Sequence, residues 1–330
     1  MTVHASGGRC CACAAPSAAS FSSFAPLFRL ALLAPAAALL GPGGAASAAD
    51  FASAVVFYEP GLGVPAAYQD PKAALGSPSR FEPSPFDTGV VTPFRAPFSP
   101  GLITGIGPGG SLVLELAAPA TDDPRHPFGI DLLIFGNSFF SDDEWPAGTC
   151  GVLFDEGGVI EVSADGRDWH VIRGVGADGL FPTLGYLDVG PYDAEPGTIE
   201  SDFSKPVDPS ITSLSLLGAT WPELLAAYDG SGGGAGVDLA SVGLANAAFV
   251  RITVPAGSGF TAEIDAVSLV AAPAGLPGDL DGNGVVNGAD LGLLLASWGA
   301  TGPDIPADLN GSGVVDGADL AVVLGHWSTP

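Results

Sequence analysis

The chain has 330 residues with 48 Gly, 30 Pro and 4 Cys, and carries 10 Lys and Arg against 36 Asp and Glu, a formal net charge of −26. Such acidity excludes nucleic acid and anionic membrane surfaces as natural partners, because both repel it. The acidic residues are spread along the chain and not blocked together, so an acidic tail is not the source of the charge.

The first segment, 1–48, reads as a secretory signal peptide. Residues 1–49 hold Arg9 and Arg29 but no Asp or Glu, Leu30 to Leu40 is an apolar run, and Ala46-Ser47-Ala48 offers a small-x-small cleavage site before Asp50. That run falls well short of the roughly 20 apolar residues a membrane-spanning helix needs. Cys10, Cys11 and Cys13 go with the leader, so the exported part keeps Cys150 alone and no disulfide framework is expected. Cys150 reads as a small buried hydrophobe, with an intermolecular bridge as the sharper alternative. Removing the leader leaves 8 Lys and Arg against 36 Asp and Glu, a net of −28, which suits a calcium-rich exterior. No later segment is apolar and long enough to span a membrane, so a secreted or cell-surface location is expected.

Residues 49–271 are sized for one large all-β domain. Gly and Pro punctuate short extended runs, and the predicted strands cover 54–58, 111–116, 130–135, 159–163, 169–173, 248–254 and 264–270. Val159–Ser163 and Trp169–Ile172 read as a hairpin with Asp165-Gly166 in the turn. The one convincing helical stretch is 221–228. Many short strands with turn signals between them predict a β-sandwich or jelly roll.

Particular phrases carry a family resemblance. Ile160-Glu-Val-Ser-Ala-Asp-Gly-Arg-Asp-Trp169 resembles the V-S-x-D-G-x-x-W hairpin of galactose-binding-like, discoidin-type jelly rolls. Phe249-Val-Arg-Ile-Thr253 and Glu263-Ile-Asp-Ala-Val267 resemble their penultimate and last strands. Together with Gly129-Ile-Asp-Leu-Leu-Ile-Phe-Gly-Asn137 and Val237-Asp-Leu-Ala-Ser-Val-Gly243, the combination is similar to uncharacterised bacterial cell-surface proteins. The resemblance implies a domain that binds glycans or other surfaces through loops at one end, often with a structural calcium; the fold by itself does not confer that activity.

Asp131 and Asp265 each interrupt an apolar strand and are the candidate ligands for such a metal, with the Asn137 carbonyl oxygen beside them. The alternative for both carboxylates is an outward-facing strand position. Acidic clusters at Asp122-Asp123, Asp142-Asp143-Glu144 and Asp155-Glu156 read as solvated surface, as cation ligands or, least of all, as catalytic groups. Trp145, in a polar loop, is the candidate sugar-stacking residue; Trp221 is another, and Trp169, starting a strand, reads as core. The chain has no Gly-x-Ser-x-Gly elbow and no His-Glu-x-x-His, and His126, His170 and His326 are scattered. Glycosidases need only two carboxylates, so that class stays open.

Residues 272–278 form a Pro/Gly linker, and 279–330 hold a duplication. Asp279-Leu-Asp-Gly-Asn-Gly-Val-Val-Asn-Gly-Ala-Asp290 recurs 29 positions later as Asp308-Leu-Asn-Gly-Ser-Gly-Val-Val-Asp-Gly-Ala-Asp319. Both copies fit an EF-hand-like calcium loop. Side-chain oxygens come from Asp279, Asp281, Asn283, Asn287 and Asp290, and from Asp308, Asn310, Ser312, Asp316 and Asp319. Val285 and Val314 supply backbone carbonyls, and Gly284 and Gly313 make the sharp turn. A helical apolar stripe follows each loop: Leu291, Leu294, Leu295 and Trp298, then Leu320, Val323, Leu324 and Trp327. The second loop, with neutral Asn310 and Ser312, is expected to be the weaker site.

The helix before the first loop is missing, since Ala274-Gly-Leu-Pro-Gly278 cannot form one, and the twelfth loop residue is Asp in both copies. A loop-helix duplicate of this kind resembles a type I-like dockerin. That resemblance implies docking to a cohesin-like partner, with recognition from Gly288-Ala289, Gly317-Ala318 and the following helix faces; these positions lack the hydroxyl pair of many cellulosomal dockerins. Three readings follow: a non-catalytic recognition or surface protein with a calcium-dependent dockerin, a polysaccharide-degrading enzyme carrying one, or a surface or matrix component with a calcium-stiffened C-terminus.

Overall fold

The computed structural model describes residues 50–272, 276–281, 285–302 and 305–328. The predicted leader lies outside the described residues, as do Asn283 and Gly284 of the first loop. Strands dominate, and all the strand pairs are antiparallel. In chain order they are β1 (Ala52–Glu59), β2 (Phe81–Glu82), β3 (Gly89–Val90), β4 (Thr104–Ile106), β5 (Ser111–Thr121), β6 (Leu132–Gly136), β7 (Phe139–Asp142), β8 (Cys150–Phe154), β9 (Gly157–Ser163), β10 (His170–Asp178), β11 (Ala235–Val237), β12 (Asn246–Thr253) and β13 (Ala262–Leu269). The helices are α1 (Ser213–Leu216), α2 (Trp221–Tyr228), α3 (Gly288–Ala296) and α4 (Gly317–Gly325).

A five-stranded sheet runs β1-β5-β12-β9-β10, and a four-stranded sheet runs β11-β6-β13-β4. Alternation decides which side chains point inward. On β5, Leu112, Leu114 and Leu116 are buried while Glu115 faces out; on β12, Val250 and Ile252 are buried beside the half-exposed Arg251. These residues join Leu132, Ile134, Ile264 and Val267 of the other sheet in one apolar cluster, so both sheets are built around a shared core.

Strand β6 is buried on both faces, which explains its unbroken apolar run. Leu133 and Phe135 point away from the shared core into a second cluster with Ile130, Phe203 and Ala266. The long excursion between β10 and β11 supplies Phe203 and also builds a third cluster, in which Trp221, Leu224 and Tyr228 of α2 meet Phe94, Phe140 and Cys150. Helix α2 is capped as its sequence dictates: the Glu223 carboxylate accepts from the Thr220 N–H at 2.9 Å, and Pro222 occupies the first turn, where no intrahelical donor is lost.

The predicted hairpin is present, with β9 and β10 paired antiparallel and the Ser163 hydroxyl accepting from Gly166 N–H in the turn. Against its outer face lies Arg251 of β12, whose guanidinium donates twice to Glu161 and lies 4.2 Å over the Trp169 ring. Trp169 is therefore half-buried under an arginine on the outer face, and not in the core as its place at a strand start suggested. The three clusters above draw on residues 51–270, and a fourth draws only on residues 280–323.

Candidate metal centres

The duplicated segment folds as two loop-helix units. Helices α3 and α4 start at equivalent positions, each capped by the ninth loop residue: Asn287 accepts from Ala289 N–H and Asp316 from Ala318 N–H, both at 2.8 Å. The twelfth residue of each loop turns back to its own loop. Asp290 accepts from the Leu280, Asp281 and Asn287 N–H groups, and Asp319 from those of Asn310 and Asp316. Burial works to raise the Asp290 carboxyl, but these donors outweigh it and hold the group below the ordinary carboxylate value. In Asp319 the Asp316 N–H leads the same downward shift.

In the first loop, one carboxylate oxygen from each of Asp279, Asp281 and Asp290 lies within 4.8 Å of the others, so the three could hold a metal ion. The all-oxygen donor set suits a hard cation such as calcium. In the second loop Asp308 accepts from the Ser312 and Gly313 N–H groups, Asn310 also accepts from Ser312 N–H, and Gly313 takes a φ of +84° that favours glycine. Asp308, Asp316 and Asp319 do not converge as the first three do.

The two units complete each other. Gly299, after α3, donates to the Val315 carbonyl at 2.9 Å; 29 residues on, Ser328, after α4, donates to the Val286 carbonyl at 2.8 Å. Val286, Leu294, Val315 and Val323 fill the small core between them. Only Leu294 and Val323 of the predicted stripes are fully buried; Leu291 and Leu320 pack against them, while Leu295, Trp298, Leu324 and Trp327 are exposed. Gly288, Ala289, Gly317 and Ala318 are exposed at the helix starts, and Val285 and Val314 are exposed at loop position 7.

A second carboxylate group lies among the strands. Oxygens of Glu156, Asp178 and Glu263 fall within 4.8 Å of one another and could likewise hold a metal ion. Glu156 sits in the turn between β8 and β9, Asp178 ends β10, and Glu263 is on β13. Burial, reinforced by the Glu156 and Asp155 charges, pushes the Asp178 carboxyl up to about 7 against the opposing Ser138 N–H. Burial and the adjoining Glu156 carboxyl push Glu263 up as well.

The remaining sequence candidates are placed separately. Asp131 and Asp265 are both buried, so neither faces outward, and each is met by protein donors. Asp131 pairs with His126 Nδ1 at 2.7 Å and accepts from Leu239 N–H at 2.8 Å; Asp265 accepts from the Ser79 N–H at 2.7 Å and the Ser79 hydroxyl at 2.9 Å. Burial raises both carboxyls, Asp265 to about 7. Asp131 lies just before β6 at one end of the β6–β13 pairing, and Asp265 sits at the irregularity near the other end, roughly four residues or ~13 Å away along the strands. They do not form one site. Asn137 instead lines the cleft of Glu156, Asp178 and Glu263.

Trp145 is 74% exposed beside Tyr192, whereas Trp221 is buried and donates to the Val189 carbonyl at 2.8 Å. Asp142 accepts from the Glu144, Gly148 and Thr149 N–H groups, and Asp123 pairs with Arg125, so these acidic clusters organise their own loops. Sequence reading singled out Glu156 only within an acidic pair. It passed over Asp178 and Glu263, whose sole signal was a carboxylate at a strand end. No protein-family model matches the chain, and no curated protein matches it. Among the described residues no helix is long and apolar enough to cross a membrane.

Proposed function

We propose that the chain is an exported, non-catalytic recognition or surface protein, in which a dockerin-like pair of calcium loops at 279–330 follows a galactose-binding-like jelly roll at 49–271. The observation that carries this reading is the reciprocal pairing of the two repeats. Loop, cap, helix and trailing segment recur at a spacing of 29 residues, and each trailing segment bonds to the other repeat's loop. Calcium supplies charge neutralisation at each loop. A unit of about fifty residues without a disulfide has too little core to hold its carboxylates together unaided, so ion binding and folding are coupled.

The docking reading is supported by what the fold leaves outside. Trp298 and Trp327, equivalent positions just past the ends of α3 and α4, stay 48% and 40% exposed, and Leu295 and Leu324 on the helices are exposed as well. Apolar side chains left in water on two equivalent helices suit a cohesin-like partner that can engage either copy. In the sandwich, exposed Trp145 offers a flat apolar face to a sugar ring.

The test is circular dichroism of the exported chain, residues 50–330, during calcium titration. Wild type gains helical signal, and a chain with Asp290→Asn and Asp319→Asn does not. Absence of a calcium-induced gain in wild type would overturn the coupling. Capture of immobilised cohesin domains in calcium but not in EDTA tests the docking.

A further inference from the structure

We infer that Glu156, Asp178 and Glu263, with Asn137 beside them, form a further calcium site, lying between the two sheets and independent of the C-terminal loops. The four residues come from the ends of separate strands and line one cleft of about 380 Å³. Proximity of carboxylates alone would say little, since acidic clusters are common on an acidic chain. The deciding feature is Asp178. It is fully buried, its Oδ1 accepts from Ser138 N–H at 2.8 Å, and its Oδ2 has no hydrogen-bond partner. A buried carboxylate oxygen left unmatched is costly, and native interiors seldom tolerate one.

No Lys, Arg or His lines the cleft, so its negative charge finds no compensating side chain there. The backbone is also fitted to the carboxylate. A Cβ at Gly136 would stand 2.4 Å from Asp178 Oδ1 and 2.8 Å from the Glu263 carbonyl oxygen, so only glycine lets the chain pass this close. Every donor is oxygen, which selects a hard cation, and a mixed set of carboxylates, an amide carbonyl and water suits calcium better than the strict octahedron of magnesium.

One oxygen from each of the three carboxylates lies within 4.8 Å of the others, a spacing that fits ligands around one ion. Glu156 precedes β9 and Asp178 ends β10 in the five-stranded sheet, while Glu263 is on β13 of the four-stranded sheet and Asn137 directly follows its β6. An ion held by all four therefore ties the two sheets together at this end.

The experiment is equilibrium dialysis of the exported chain with radioactive calcium, paired with thermal unfolding of the strand-rich part. In a chain whose loops are disabled by Asp290→Asn and Asp319→Asn, one ion remains bound. Adding Glu156→Gln, at an exposed position, removes that ion, while Glu156→Gln in the otherwise wild-type chain leaves the loop ions in place. Calcium at a hundredfold over its Kd raises the unfolding midpoint of the strand-rich part by about 5–10 °C, and Glu156→Gln abolishes that rise. In EDTA the same variant unfolds at a higher temperature than wild type, because it removes a repelling charge. Two results would overturn the site: no calcium bound by the loop-disabled chain, or an equal calcium effect with and without Glu156→Gln. Either outcome would leave loop binding to be judged separately, from the ions lost with Asp290→Asn and Asp319→Asn.

Discussion

If calcium binding and folding of the repeat pair are one process, a residue that touches no ion should still control calcium affinity. Leu294 provides that test. It is fully buried on α3 among Val286, Ala307, Val315 and Val323, and these five are the buried side chains of the cluster. Leu294→Ala removes three carbons from a core too small to collapse around the gap, a loss of about 3 kcal/mol. If two ions fold the unit, the loss divides into about 1.5 kcal/mol per ion, roughly a tenfold weakening of each apparent affinity. The assay is the calcium midpoint of the helical signal in residues 50–330. Leu293→Ala serves as the control: it lies on the same helix, is 44% exposed, and should shift the midpoint less than about threefold, in line with a surface change within ±0.5 kcal/mol. A helical signal that is the same in EDTA as in calcium, or a Leu294→Ala midpoint equal to wild type, would refute the coupling.

Three further outcomes are expected. Gly313→Ala meets no atom within 4 Å but must hold a φ of +84°, so it costs about 1–2 kcal/mol of backbone strain, and the second loop should need more calcium to fill while the first is less affected. The Cys150 thiol is buried and pushed up to about 12, chiefly by burial, so the thiolate is scarce at pH 8 and a thiol reagent should label it only after unfolding; prompt labelling of the native chain would contradict the burial. Trp145→Ala should abolish glycan retention on affinity gels while leaving the unfolding midpoint unchanged, since the ring is 74% exposed; retained binding would remove its role as a stacking platform.

Local information was legible in the sequence wherever one element decides its own form. Helix α2 covers the predicted 221–228, because a capping pair, an N-terminal proline and an amphipathic run agree there. The strands with alternating or long apolar runs were equally plain. Shorter strands such as β4, β7, β8 and β11 were not, since three to five residues among glycines carry too little pattern, and their pairing comes from distant partners. The same contrast governs the sites. The loops of the repeats are written in one stretch each, so spacing reveals them. The cleft of Glu156, Asp178 and Glu263 is assembled from three strand ends far apart in sequence, and nothing local distinguishes its members from surface acids. Asp265 drew attention for interrupting an apolar strand, yet its partner is Ser79, 186 residues away.

The pairing of Gly299 with Val315 and of Ser328 with Val286 means that neither repeat owns its own frame. Ordering one loop lays down half of the scaffold on which the other forms, so the ions should enter as linked events even though no ligand is shared. The same exchange makes damage appear at a distance. Clipping the last few residues after α4 would loosen the first loop, leaving the second loop its own trailing partner from the segment after α3.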